Sequence, residues 1–349
     1  MNDKQRLNIG KINLKTFESF IMKRLGKKDD SVVVPPLTGE DASVIDIGDQ
    51  KVLVIAEDPI FNIPGQSLRM FGWYTVHIGA SDVAVMGVKP KWMTYTLLMP
   101  PQTDEADFEK IVDSIHKTAL ELDISIVGGH TGYYPGFASP TIGGITVFGT
   151  AEKNSYVTSA GAKPGDDVIL TKGPAIEAVG ILSNLREEEL LKKYSPSLVN
   201  KAKSYAQKMS VVQDALTAME TGGVTSMHDA TEGGVIGGLF EIANASGVGM
   251  KINEDFFVYP EEVHKICEYF EIDPVASIAE GSLLITSGPG SSDIILEELK
   301  KMDIDASVIG SVTADISDRF IKRKNGKRVP LEIPRQDPFW PVFFQALEE

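Results

Sequence analysis

The sequence predicts an α/β (α+β) protein of two domains, and three observations carry that expectation. At 349 residues the chain exceeds the size at which one hydrophobic core keeps growing, and its 42% apolar composition is enough to fill two. Short β-like runs alternate with helical stretches through the first 150 residues. A second set of such elements follows a segment of turn formers.

In the first half, strand-like runs span Lys51 to Ala56, Lys91 to Met99, Ile124 to Val127 and Ile142 to Gly149, with helical patterns over Gly65 to Met86 and Asp104 to Asp123. The stretch TSAGAKPGDD, residues 158–167, concentrates small and turn-forming residues, which sets the domains at 1–157 and 158–349. Beyond it come a strand over Val168 to Thr171, a charged helical zone from Glu187 to Glu220, and a helix beginning near Gly233 and ending at Gly247. Strands over Ser282 to Thr286 and near residue 310 follow. Lys322, Arg323, Lys324, Lys327 and Arg328 flank the turn Asn325-Gly326 and read as a solvated hairpin. The tail DPFWPVFFQALEE carries four aromatics and reads as a strap on the chain's own core.

A formal charge of −15 argues against nucleic acid, whose phosphates call for clustered Lys and Arg. Cys267 is the only cysteine, so one subunit holds no disulfide and no thiolate zinc site, and its apolar setting between Ile266 and Tyr269 reads as packing. No apolar run approaches the roughly 18 residues that span a bilayer. A cytoplasmic protein without membrane contact is expected.

The common nucleotide and hydrolase signatures are missing: no G-x-x-x-x-G-K-S/T loop, no G-x-G-x-x-G after a strand, no H-E-x-x-H and no G-x-S-x-G. Instead, five short stretches set polar ligands beside glycines or at element ends. TGEDAS offers Gly39, Glu40 and Asp41. IAEDPIF delivers Glu57 and Asp58 on a strand that Pro59 is expected to stop. GASDVAVMGVKP holds Asp82 in an apolar segment, and IVGGHTG puts Gly128, Gly129, His130 and Thr131 at an expected strand end. HDATEGG carries Asp229, Thr231 and Glu232 ahead of Gly233. Each acid alone reads as a turn former or helix cap. Together they suit magnesium and polyphosphate, because hard cations take carboxylate oxygens and small residues admit a bulky anion. At the last stretch, Asp229 or Thr231 is expected to cap the following helix, whose N-terminus favours phosphate.

These stretches, in this order, resemble the aminoimidazole-ribonucleotide (AIR) synthase superfamily, which includes HypE, thiamine-monophosphate kinase and selenophosphate synthetase. GEDASVI, AEDPI, SDVAVMGVKPKWMTYTLLMP, VGGHT, AGAKPGDDVILTKG and HDATEGGVIGGLFEIANASGVG carry the likeness over nearly the whole chain, the last being most similar to HypE-like members. The resemblance implies two AIR-synthase-like domains, the N-terminal ones of two subunits pairing into a shared β-barrel in a homodimer. It also implies ATP and Mg2+ in a cleft between the domains. Asp41, Asp58 and Asp82 would then be metal ligands, Asp229 would reach the nucleotide or metals, and Lys172 and Gly173 would lie near the phosphates.

Two departures qualify the likeness. His130 stands where an acid is usual, so either a metal is lost or the ring contacts phosphate or substrate, and Glu57 is a candidate replacement carboxylate. HypE works through a C-terminal cysteine, whereas this sequence ends QALEE. The leading expectation is an ATP-dependent enzyme that phosphorylates an oxygen of an unidentified small substrate. A small-molecule kinase like thiamine-monophosphate kinase, and a non-catalytic nucleotide-binding partner in protein maturation, are the alternatives.

Overall fold

The computed structural model describes residues 9–348. Among them, β1 (Val32–Val34), β2 (Ser43–Gly48), β3 (Lys51–Phe61), β4 (Pro90–Met99), β5 (Ser125–Tyr133) and β6 (Thr141–Glu152) form a six-stranded sheet ordered β1-β2-β3-β6-β4-β5. A seven-stranded sheet, ordered β13-β12-β9-β11-β7-β10-β8, is built from β7 (Asp167–Thr171), β8 (Val224–Asp229), β9 (Gly249–Asn253), β10 (Leu283–Ser287), β11 (Ala306–Thr313), β12 (Arg319–Lys322) and β13 (Arg328–Pro330). Both sheets are mixed, with β4 parallel to β5 and β12 parallel to β9. The first sheet does not close on itself among the described residues, and β1 and β5 are its edges.

The helix Leu68–Ala84 starts where Ser67 accepts from the Met70 amide, and it is apolar on most sides because it is buried on most sides. It packs on β3 and β6, on the amphipathic helix Glu105–Glu121, and on Val212–Thr221 from the second half. Asp104 caps the helix Glu105–Glu121, whose inward face carries Ile111, Ile115 and Ala119. One core therefore runs through both halves: Val54, Phe71, Met86 and Ile145 share it with Val211, Ala215, Leu283 and Leu299.

Several expectations need correction. Pro59 does not stop its strand, since a register shift between Asp58 and Ile60 absorbs the missing N–H and β3 runs on to Phe61 beside β6. His130 and Thr131 lie inside β5, which continues to Tyr133, and not at a strand end. The charged zone is broken into Glu187–Leu190, Pro196–Ser204, Tyr205–Lys208 and Val212–Thr221, because Pro196 and the turn near Ser210 interrupt it. The tail is helical over Phe339–Glu348 and packs Phe339, Trp340 and Phe343 on a core of the second half. Cys267 is buried in that same core, at 1% exposure. The basic run forms the β12–β13 hairpin around Gly326.

Candidate functional site

Four carboxylates converge from four different elements. Asp41 stands just before β2, in a loop that touches the helix Gly234–Ser246; a Cβ on Gly39, at φ +81°, would lie 3.2 Å from Glu241 Cβ, so only glycine permits that approach without displacement. Asp58 comes from β3, Asp82 from the last turn of Leu68–Ala84, and Asp229 is the final residue of β8. The Asp58 and Asp82 carboxyls are hydrogen-bonded to each other, and Asp41 and Asp229 lie within electrostatic reach of both. Ligand atoms of Asp41, His228 and Asp229 fall within 4.8 Å of one another. Burial, then mutual repulsion, holds the Asp82 carboxyl well above the ordinary carboxylate range.

His228 is held between two acids and ties the halves together. Its Nδ1 lies 2.8 Å from Asp41 Oδ2, and its Nε2 lies 2.9 Å from Glu241 Oε2. Burial alone would strip its proton, yet the two carboxylates outweigh burial and raise its pKa well above the usual value, leaving an imidazolium that donates from both nitrogens. Asp41 is correspondingly set at about 6, with burial pushing it up and His228 pulling it down.

The sequence reading missed Lys11, His228, Glu241, Glu177 and Glu280 as members of this site. Lys11 is exposed as a residue, but its ammonium reaches inward, donating to Thr231 Oγ1 at 2.9 Å in the field of Glu241, Asp229, Asp82 and Asp41. Glu280 is 4% exposed, and its Oε1 has no hydrogen-bond partner; Asp229 Oδ2 is likewise buried and unpaired. Glu177 accepts from the Glu280 amide at 3.1 Å, and burial raises its pKa to about 8.

These shifts share one sign. A carboxyl whose folded pKa is raised keeps its proton after the unfolded chain has released it, so its contribution favours folding at low pH and fades as pH climbs. Glu177 at about 8, and Asp41 and Asp337 at about 6, place that loss between about pH 4 and pH 8. The midpoint of thermal unfolding in chelator is expected to fall by several degrees from pH 5 to pH 8, and added magnesium is expected to raise it more at pH 8 than at pH 5. A midpoint that rises over this window in chelator would contradict the placement of these acids.

Other sequence candidates lie elsewhere. The Lys172 ammonium is bound by the carbonyls of Ser210 and Gly281, at 2.8 and 2.6 Å, and by Asp214 at 2.7 Å, which fixes it as a structural tie at the foot of its loop. Gly173 adjoins it, against the Val258 carbonyl. Gly128, Gly129, His130 and Thr131 sit on exposed β5, where His130 Nε2 meets Tyr134 Oη at 2.6 Å. Asp58 pairs with Ile145, Ile145 with Tyr95, and Tyr95 with Gly129, so three strand spacings, about 14 Å, separate the acid cluster from that stretch. Gly129, at φ +139°, is required because a Cβ there would sit 2.1 Å from the Tyr95 carbonyl oxygen.

Neither Asp229 nor Thr231 caps the helix Gly234–Ser246. Gly233 is its N-cap residue, and the Gly233 amide donates to Asp337 Oδ2 from the tail at 2.8 Å. Thr231 instead receives Lys11.

Fold and site define a two-domain α/β protein with a buried carboxylate cluster supplied by both halves. Residues 39–151 match the N-terminal domain and residues 163–322 the C-terminal domain of AIR synthase related protein, and the chain belongs to that family. It is 25% identical over 337 residues to a hydrogenase expression/formation protein of Methanocaldococcus jannaschii, covering 94% of this chain and 96% of that one. It is 27% identical over 290 residues to carbamoyl dehydratase HypE of Rhizobium leguminosarum bv. viciae, covering 79% and 78%. Solved HypE structures share the fold: one in a HypE–HypF complex has a TM-score of 0.71 at 22% identity, covering 91% of this chain and 99% of that one. Another, in complex with ATP, has a TM-score of 0.68 at 20% identity and covers 93% of each chain. Among the described residues no helix is long and apolar enough to cross a membrane.

Proposed function

We propose that this chain is an ATP-dependent enzyme of the HypE-like branch, which passes the γ-phosphate to an oxygen of an amide- or carbonyl-type small substrate and so makes that oxygen a leaving group. The observation that carries this reading is the approach of Asp41, Asp58 and Asp82, each half-buried, to the buried Asp229, closely enough that each feels the others' charge. Carboxyls gathered out of water are neutral or matched by a cation, and the raised pKa values of Asp41, Asp58, Asp82 and Asp229 in the metal-free chain mark a cluster whose ionised form calls for one. The unpaired Asp229 Oδ2 and the seated Lys11 ammonium both fit a site made for positive charge.

Asp41, Asp58, Asp82 and Asp229 would hold Mg2+, which supplies charge neutralisation for the phosphates when bound. The chain's own contribution is positioning. His228 holds Asp41 in place and carries a fixed positive charge at the cluster's edge. Glu177 keeps its proton at neutral pH, and so does Glu280, whose carboxyl burial and the nearby Asp229 and Glu177 hold well above the usual range; with Oε1 unpaired, it would serve as an acid that donates to a substrate oxygen. Glu280→Gln is expected to lower kcat by about 10²–10⁴ while leaving ATP affinity near wild type, as read by steady-state kinetics beside direct nucleotide binding. Unchanged kcat would remove Glu280 from the chemistry.

The homodimer and its shared barrel belong to this reading. β5 is an edge strand with Ile126, Val127 and Tyr133 exposed, an edge that natural sheets pair or cover. Pairing across it is the route by which His130 would meet a site, that of the second copy. A cytoplasmic setting and a maturation partner protein are also consistent with the HypE likeness. Incubation with ATP, magnesium and candidate carboxamides separates the alternatives. ADP release with loss of the amide oxygen supports activation chemistry, a stable phosphorylated product indicates a small-molecule kinase, and tight ATP binding without turnover indicates a nucleotide-binding partner.

A further inference from the structure

Residues 9 to 30 form an arm with an unusual mode of attachment. No residue between 9 and 41 is buried; Ala42 is the first to enter a core. The arm's helical turns, Leu14–Thr16 and Phe17–Ile21, hold no fully buried residue, and Ile9 and Ile12, on either side of Lys11, are 50% and 54% exposed. Among the described residues, the hydrogen bonds that tie residues 9–28 to the rest of the chain are both made by Lys11: its amide donates to Glu232 Oε2 at 2.8 Å and its ammonium to Thr231 Oγ1 at 2.9 Å. Gly10 lies so close that a Cβ there would meet Glu232 Oε1 at 2.1 Å. The arm is latched at one point, and the latch is a cation among carboxylates.

We propose that Lys11 is a built-in competitor of the divalent ion: its ammonium neutralises the acid cluster in the metal-free protein, and metal loading expels it and frees the arm. The inference rests on the metal reading above. The physical ground is that two cations close together among the same carboxylates repel each other, while the arm has no fully buried residue and only the half-buried Leu14, Phe17 and Met22 to hold it once the ammonium leaves. A magnesium ion carries twice the charge and a stronger demand for carboxylate oxygen, so it wins the seat at sufficient concentration. Lys11 thereby sets the concentration at which the site loads.

Two measurements on the full chain test this. Amide hydrogen exchange of residues 9–21 is expected to quicken when MgCl2 is added. Mn2+ affinity, read by electron paramagnetic resonance, is expected to tighten about tenfold in Lys11→Met, if the wild-type arm is free about one-tenth of the time. Lys11→Met should also show the fast exchange without metal, and Lys11→Arg should keep the latch. Mn2+ binding with an arm whose exchange is unchanged or slowed, or a Lys11→Met protein that binds Mn2+ no tighter, overturns this inference alone. Failure of wild-type protein and Lys11→Met alike to bind Mn2+ overturns the metal reading with it.

Discussion

Asp82→Asn is expected to abolish magnesium-dependent ATP turnover, with a loss of at least about a hundredfold in kcat/KM, since even outer partners of metal ligands are worth 10–100-fold. Asp82 is the carboxylate most firmly placed by secondary structure, in the last turn of a helix whose other faces are packed against the first sheet and the helix Glu105–Glu121. Asparagine keeps its shape and can still hydrogen-bond Asp58, so the fold is expected to survive. Because burial and its neighbours oppose ionisation of Asp82, replacing it should raise the unfolding midpoint in chelator, the more so as pH climbs. The combination is the useful signature: a more stable protein with less turnover. Full turnover in Asp82→Asn, measured as ADP release at saturating magnesium, would detach this residue from the mechanism and weaken the whole cluster as the site.

His228→Ala is expected to cost about 3–5 kcal/mol of stability, the range for removing one partner of a buried ionic group. The ring is 6% exposed and Asp41 8%, so water cannot replace the lost donors without entering the interior. Two carboxylates, Asp41 and Glu241, would be left facing each other. The pH dependence identifies the cause. A raised histidine pKa contributes stability in full below the unfolded value near 6.5 and loses it as pH rises toward the folded value. The gap between wild type and variant in urea unfolding should therefore be widest near pH 6 and narrow at alkaline pH. A gap that widens with pH would mean the ring is neutral in the folded state.

Much of the architecture was legible because local signals and tertiary fate agreed. Asp104 opens its helix where the pattern placed it, Asn325-Gly326 announces its hairpin, and the β-like runs became strands. Boundaries failed where partners overrode local chemistry: β3 passes through Pro59 because β6 accommodates a register shift there. The acids of the cluster stood out because carboxylates next to apolar strands and glycines are conspicuous. Their companions did not. Glu241 is an ordinary acid on a helix, and Lys11 an ordinary lysine in a polar stretch; Glu241 acquires meaning from His228, which in turn reaches Asp41 187 residues back, and Lys11 from Thr231, 220 residues on. Asp337 likewise displaced the expected caps because the tail folds back onto the helix start, which no local pattern reveals.

The shared interior has a consequence for access. With Val211, Ala215 and Leu299 of one half locked among Val54, Phe71 and Met86 of the other, the two halves cannot swing apart like jaws without tearing open their common interior. Access to the acids therefore has to come from movement of a smaller piece, and residues 9–28, held to the rest of the described chain by the two hydrogen bonds of Lys11, are the segment that can move without disturbing that interior.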